Sequence, residues 1–307
     1  MKTISVVIPA YNEASNIEAV FCKVRHVFDS LADYAFEVIF VNDGSSDGSG
    51  HMLQKLAAEN TAVKYIEFSR NFGHQLALKA GMDHASGDAV ISMDCDMQHP
   101  PEMIGQMIAE WEQGYDIVFT LRSYAKKTPR FKRCSSRFYY KFINTISDVK
   151  IEEGSADFRL LDRSVVNVLN NIEDKEPFLR GLTRWVGFSQ KAIYYTADER
   201  FSGESKYSLK KMLRLAMTGI TSFSTRPLHI AVYLGFFFAA MSLLYIPYVI
   251  WSFVYDVEIS GWASLIMTIV FFGGLQLVIL GILGIYIGKI FKQTKNRPAY
   301  IIKNKNF

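Results

Sequence analysis

Short apolar runs alternate with amphipathic stretches along the first part of the chain. Runs at residues 4–8, 36–41, 63–68, 89–93 and 117–121 are rich in Val, Ile and Phe and predict strands. Between them, residues 13–30, 48–59, 75–85 and 101–111 carry apolar side chains at helical spacing and predict helices. Near-continuous apolar strands that alternate with helices predict an α/β fold with a mostly parallel sheet covered on both faces. Ligands of such sheets bind beyond the carboxyl ends of the strands, so the residues that follow each run are the ones to inspect.

Polar clusters stand at those places. Pro9-Ala10-Tyr11-Asn12-Glu13 follows the first run, and Asn42-Asp43-Gly44-Ser45-Ser46-Asp47-Gly48 the second. Ser69-Arg70-Asn71-Phe72-Gly73 follows the third, Asp94-Cys95-Asp96 the fourth and Arg122 the fifth. One such cluster fits a turn or a helix cap. Five along one rim predict a binding site. None is a glycine-rich loop of the dinucleotide or Walker type, which argues against a dehydrogenase or an ATPase.

The pattern changes at Leu228. No Asp, Glu, Lys or Arg occurs from Leu228 to Tyr255, nor from Ile259 to Gly288. Each run exceeds the roughly 20 residues that cross a hydrocarbon core, so residues 228–290 predict a hairpin of two transmembrane helices. The connection carries Asp256 and Glu258, whereas Arg214 and Arg226 precede the first run and Lys289, Lys292, Lys295 and Arg297 follow the second. The positive-inside rule then puts both termini in the cytoplasm, with residues 291–307 as a basic tail. The opening residues lack the layout of a cleaved signal peptide. Gly273, Gly274, Gly281, Gly284 and Gly288 would permit close helix packing, including between copies of the chain.

Composition adds little beyond this division. Half of the 307 residues are hydrophobic, and the excess lies in the C-terminal part. The net charge of +4 is modest, and its placement is the informative part. No acid occurs from Arg122 to Ser147, and Arg133, Arg137 and Lys141 stand four apart. A basic amphipathic helix at about 130–147 is expected to lie on an anionic bilayer, with Arg133 and Arg137 collecting a lipid phosphate. Residues 207–227 have a similar character and lead into the first span. The membrane segments account for the basic charge, so no nucleic-acid partner is expected. Three unpaired cysteines fit reduced thiols rather than a disulfide framework.

The sharpest chemical signal is Asp94-Cys95-Asp96. Two carboxylates one residue apart at a strand end repel each other unless a cation neutralises them, and hard oxygens suit Mg²⁺ or Mn²⁺. Gln98 adds a neutral oxygen. Magnesium often takes one or two carboxylates and completes its shell with substrate phosphates, which fits a nucleotide diphosphate.

The runs VVIPAYNE, VNDGSSDGS, DCDMQHPPE and ERFSGESKYS occur in that order. With them the chain resembles the family-2 glycosyltransferases that use polyprenyl phosphates, a group that includes dolichyl-phosphate mannose synthase. The segments RNFGHQLALKAGMDHASGD and GSADFRLLDR look most similar to the bactoprenol glucosyltransferases. The resemblance covers essentially the whole chain and implies a GT-A nucleotide-sugar fold in residues 1–206, with inverting transfer. It implies that Pro9, Tyr11, Glu13 and Asp43 hold the nucleoside, and that Asp94, Asp96 and Gln98 hold metal and diphosphate, Asp96 most directly. It further implies that Asp157 serves catalysis, that Arg122 and Arg200 lie near the phosphates, and that Ser202 and Lys206 stand on the loop that follows. Processive relatives carry Gln-x-x-Arg-Trp, but this chain has Gly181-Leu182-Thr183-Arg184-Trp185. That departure favours transfer of one sugar over polymerisation.

The expectation is a glycosyltransferase of the bacterial plasma membrane. It would move glucose from UDP-glucose to undecaprenyl phosphate and release UDP. Rival readings are the same reaction with a UDP-amino sugar or GDP-mannose, and a non-catalytic scaffold or flippase partner.

Overall fold

The computed structural model describes residues 1–123, 152, 154–196, 221, 223–255 and 261–307. They form two compact units, one built on a sheet and one on two long helices.

The first unit begins β1 (Lys2–Ala10), α1 (Ala14–Asp29), β2 (Tyr34–Asn42), α2 (Ser49–Glu59), β3 (Val63–Phe68) and α3 (His74–His84). It continues β4 (Ala89–Ser92), α4 (Met103–Glu112), β5 (Ile117–Ser123) and β6 (Ser155–Asp162). The helices α5 (Arg163–Asn170) and α6 (Leu179–Trp185) precede β7 (Gln190–Thr196). The eight-stranded sheet has the order β7-β5-β6-β4-β1-β2-β3-β8, where β8 is Ile302–Lys305. All nine elements expected from periodicity are present, with ends displaced by no more than two residues. The later elements β6, β7, α5 and α6 were not among those expected, although α5 carries Val165, Val166 and Leu169 on one buried stripe.

Central β1 has Ile4, Val6, Val7 and Ile8 fully buried, as expected of a strand covered on both faces. Helix α1 packs Ile17, Val20, Phe21, Val24 and Phe28 on one stripe. Helix α3 lies against β1 through Gly81, where a Cβ would come within 2.1 Å of Val7 Cγ1. That close approach seats the N-terminus of α3 over the rim.

The sheet is more mixed than the repeating pattern suggested. β1–β2, β1–β4, β2–β3 and β5–β7 are parallel, but β6 runs antiparallel between β4 and β5. The reversal matters for chemistry: β6 starts at the rim where β4 ends.

The C-terminal residues differ from the expected basic tail. Ile302–Lys305 pairs antiparallel with β3, Ser69 N donates to Ile301 O at 3.0 Å, and Lys303 pairs with Glu67 at 2.8 Å. The Tyr300 ring stacks on Phe68, and its hydroxyl donates to Asp83 at 2.8 Å. The apolar Tyr300 and Ile301 lead into the edge strand, and Ile302 begins it.

The second unit holds α7 (Arg226–Val254) and α8 (Trp262–Thr294), which touch through Phe238, Phe271 and Phe272. Leu244, Met267 and Leu277 stand largely exposed on them. Among the described residues one helix, Ser264–Thr294, is long and apolar enough to cross a membrane, and Arg226–Met241 is a shorter apolar stretch. The basic helix expected at 130–147, with Arg133 and Arg137, lies outside the described residues, as do Arg200, Ser202 and Lys206.

Candidate active site

The loops after β1 and β2 are stitched together. Asn12 N donates to Ser45 Oγ at 2.9 Å, and Ser46 N donates to Asn12 Oδ1 at 2.9 Å. Asn12 takes a positive φ of 56°, which asparagine tolerates better than most residues. Glu13 N donates to Ser49 Oγ. Pro9 closes the buried end of β1, and Tyr11 holds its ring half-exposed above it.

Asp43 is buried and fastens the next loop. Its carboxylate accepts from Phe72 N at 2.6 Å and from Gly73 N at 2.9 Å. Burial pushes its pKa up, against the pull of those two N–H groups. Gly44, at φ +68°, lets this loop touch the next: a Cβ there would sit 2.4 Å from Arg70 C.

Asp94 and Asp96 follow β4. Asp94 N donates to His99 Nδ1 at 3.0 Å, and the buried His99 ring stacks on Phe158. Asp94 Oδ1 is buried and accepts no hydrogen bond. Gln98 N donates to Asp96 Oδ1 at 3.1 Å, across Met97 at a positive φ of 63°. The strained turn aims the pair. Among the described residues, no group of three or more His, Cys, Asp and Glu could hold a metal by itself. A two-carboxylate set in which one buried oxygen accepts no hydrogen bond, with His74 Nε2 near it at 3.4 Å, fits Mg²⁺ or Mn²⁺ whose shell is completed by phosphate oxygens.

Because β6 is antiparallel, Asp157 at its start lands on the same rim. Ser92 Oγ, at the end of β4, donates to Asp157 O. The buried carboxylate is gripped from several sides. Arg180 Nε reaches Oδ1 and a terminal Arg180 nitrogen reaches Oδ2, both at 2.8 Å. Gln75 Nε2 donates to Oδ2 at 3.2 Å, and Arg159 lies 3.7 Å away. His74 Nε2 bridges two sites, 3.5 Å from Asp157 Oδ2 and 3.4 Å from Asp94 Oδ1.

The electrostatics follow from that grip. Burial would raise the Asp157 pKa, but Arg180 and His74 outweigh it and hold the carboxyl well below its usual range. Burial would lower the His74 pKa, yet the carboxylates of Asp94 and Asp157 push it up to about 9. Asp157 is therefore held ionised, and His74 between it and Asp94 is favoured in its charged form.

Arg122, exposed at the end of β5, is in register with Tyr195 of β7. Tyr195 is buried against Phe158 and His99, and burial pushes its hydroxyl up to about 12. The sequence-predicted Pro9, Tyr11, Glu13, Asp43, Asp94, Asp96, Gln98, Asp157 and Arg122 all stand on loops or strand ends of this sheet. His74, Gln75, His99, Arg180 and Tyr195 were missed. The first two directly follow the third polar cluster, so their position in the chain was a usable signal.

The family model described as glycosyl transferase family 2 matches residues 5–169. A bactoprenol glucosyl transferase of Shigella phage SfV is 43% identical over 98% of this chain and 98% of its own length. An uncharacterized glycosyltransferase of Bacillus subtilis, YkcC, is 43% identical over 97% of this chain and 93% of its own. A solved glucosyl-3-phosphoglycerate synthase from Mycobacterium tuberculosis, bound to Mn²⁺, UDP and phosphoglyceric acid, is a distant likeness. It has a TM-score of 0.47 and 17% identity over 72% of this chain and 76% of that one.

Proposed function

The chain belongs to glycosyl transferase family 2, and from that premise we propose that it transfers one glucose from UDP-glucose to undecaprenyl phosphate. The reaction inverts the anomeric centre and gives a β-linked polyprenyl-phosphate sugar and UDP. The observation that carries this reading is the rim on which one short segment joins Asp43, Asp94 and Asp157, in a chain whose full-length relative is named for bactoprenol glucosylation.

The roles in this reading are those the family resemblance implies, and the rim geometry is compatible with them. Pro9, Tyr11, Glu13 and Asp43 bind the nucleoside. Asp94, Asp96 and Gln98 would hold the divalent metal, with Asp94 Oδ1 as an available ligand. When bound, the metal neutralises charge on the leaving diphosphate. By the family resemblance, Arg122 and Arg200 would serve the phosphates, with Ser202 and Lys206 on the loop that follows; of these, only Arg122 is among the described residues. A phosphomonoester is largely dianionic at neutral pH, since its second pKa is near 6, so the acceptor needs no strong base. Asp157, ionised and gripped on both oxygens, suits an orienting role rather than proton transfer.

The membrane topology of this reading is a two-helix hairpin with cytoplasmic termini at the plasma membrane. Strand β8 supports it. The chain that leaves the sheet after β7 returns to pair with β3, so it must cross any bilayer an even number of times. If α8 crosses once, a second crossing is required, and α7 is the long apolar helix available for it.

A transfer assay in detergent tests the function. It combines purified protein, undecaprenyl phosphate, Mg²⁺ or Mn²⁺, and labelled UDP- and GDP-sugars, with Asp96→Ala as control. Metal-dependent labelling of lipid by UDP-glucose, absent in the variant, is the expected result. Labelling only by a UDP-amino sugar or GDP-mannose would replace the donor. No labelling by any donor, from protein that still binds UDP, would overturn the reading.

A further inference from the structure

Four consecutive residues connect the parts of this site. Phe72 N and Gly73 N hold Asp43. His74 stands between Asp94 and Asp157. Gln75 then reaches in two directions: its Nε2 donates to Asp157 Oδ2 at 3.2 Å, and its Oε1 accepts from Leu179 N at 3.0 Å. Leu179 opens α6, and the next residue is Arg180, whose guanidinium forks onto the same Asp157. The hydrogen bonds therefore close a ring that runs from Gln75 to Asp157, to Arg180, along the chain to Leu179, and back to Gln75. This ring joins α3, β6 and α6.

We infer that Gln75 is a positioning residue that fixes the Asp157 carboxylate and the Arg180 fork relative to the segment holding Asp43. The inference rests on the glycosyltransferase reading above. The chemistry requires an amide. One end must accept from a backbone N–H and the other must donate to a carboxylate. The opposite amide orientation would set oxygen against oxygen at Asp157 and NH₂ against N–H at Leu179. A glutamate would accept from Leu179 but offer no donor, and would place a second anion against Asp157. A leucine would keep much of the volume and leave Leu179 N without its partner, while Asp157 loses one of its donors.

Acting through Asp157 gives Gln75 a signature that a purely structural residue lacks. Removal of the amide should reduce turnover while the nucleoside side, held by backbone N–H groups of Phe72 and Gly73, keeps its affinity. A misplaced orienting group lowers rate by roughly tenfold to a hundredfold. The loss should also vanish once Asp157 can no longer serve, because coupled residues are non-additive.

The experiment uses the full-length protein in detergent with the donor that the transfer assay identifies. It measures kcat, donor KM and UDP Kd for Gln75→Leu, Gln75→Glu, Asp157→Asn and the Gln75→Leu/Asp157→Asn double variant. The inference expects kcat of Gln75→Leu to fall about tenfold or more with UDP Kd within about twofold. Gln75→Glu should fall further, and it keeps the test open if Gln75→Leu does not fold. The double variant should be no slower than Asp157→Asn alone. Unchanged kcat in either folded Gln75 variant, losses that multiply in the double variant, or UDP affinity that falls in step with kcat would overturn it. Absence of transfer by the unmodified enzyme would instead overturn the underlying reading.

Discussion

Two buried carboxylates in one sheet have opposite fates. Glu37 lies in the first half of β2, beside Ser5 of β1, and accepts from Ser5, Lys64 and both the N–H and the hydroxyl of Ser86. Asp157 lies at the start of β6 and is held by Arg180, Gln75 and His74. Both are almost fully buried and both are kept ionised by their partners. Burial and hydrogen bonding thus do not distinguish the two acids. Position does. Glu37 sits at the amino-end half of the parallel strands and ties them to the α3–β4 turn. Asp157 sits at the carboxyl-end rim, where its neighbour Asp94 keeps a buried oxygen without a hydrogen bond.

The sharpest test of that contrast is at the rim itself. Asp96→Ala should lower glycosyl transfer by at least roughly a hundredfold, by analogy with loss of one preorganised electrostatic contact, with the melting temperature little changed. A variant that retains near-normal metal-dependent turnover would remove this loop from the chemistry.

Next in size is the effect at the opposite end. Glu37→Gln leaves Lys64 without its charge partner and should destabilise the fold by roughly 3 kcal/mol, measured by urea unfolding. The pH dependence should change with it. Burial would raise the Glu37 pKa, but Lys64, Ser5 and Ser86 hold it below the ordinary 4.5. A depressed carboxyl stabilises the fold above the ordinary value and loses that contribution as pH falls through the folded value. Unfolding free energy should therefore drop below about pH 4.5, and the drop should be shallower in Glu37→Gln. Identical pH profiles would mean that Glu37 carries no such linkage.

The smallest expected effect concerns the return strand. Tyr300→Phe removes the hydroxyl that donates to Asp83 and keeps the ring on Phe68. A loss of about 1 kcal/mol in stability, with transfer intact, is expected. A loss of several kcal/mol would make this contact a principal anchor of β8.

How much of this was legible depends on whether the signal was local. Asp94 and Asp96 stand one residue apart after an apolar strand, so both the motif and its rim were readable. The early strands were readable because their apolar runs are long and regularly spaced. Asp157 entered through resemblance alone, because its site depends on the antiparallel insertion of β6, which no periodicity announces. Arg180 and Gln75 lie 23 and 82 positions from it and meet it only in the folded chain. Strand β8 was hidden for a related reason: Tyr300, Ile301 and Ile302 are too few to form a pattern, and their partner strand lies far back in the sequence.

The most direct measurement is turnover per folded molecule for Asp157→Asn and Glu37→Gln, at one temperature where both are mostly folded. Asp157→Asn should lose about a hundredfold in kcat, while Glu37→Gln should match the unmodified enzyme once its folded fraction is counted. Equal losses in the two variants, or a fully active Asp157→Asn, would contradict an orienting role for Asp157.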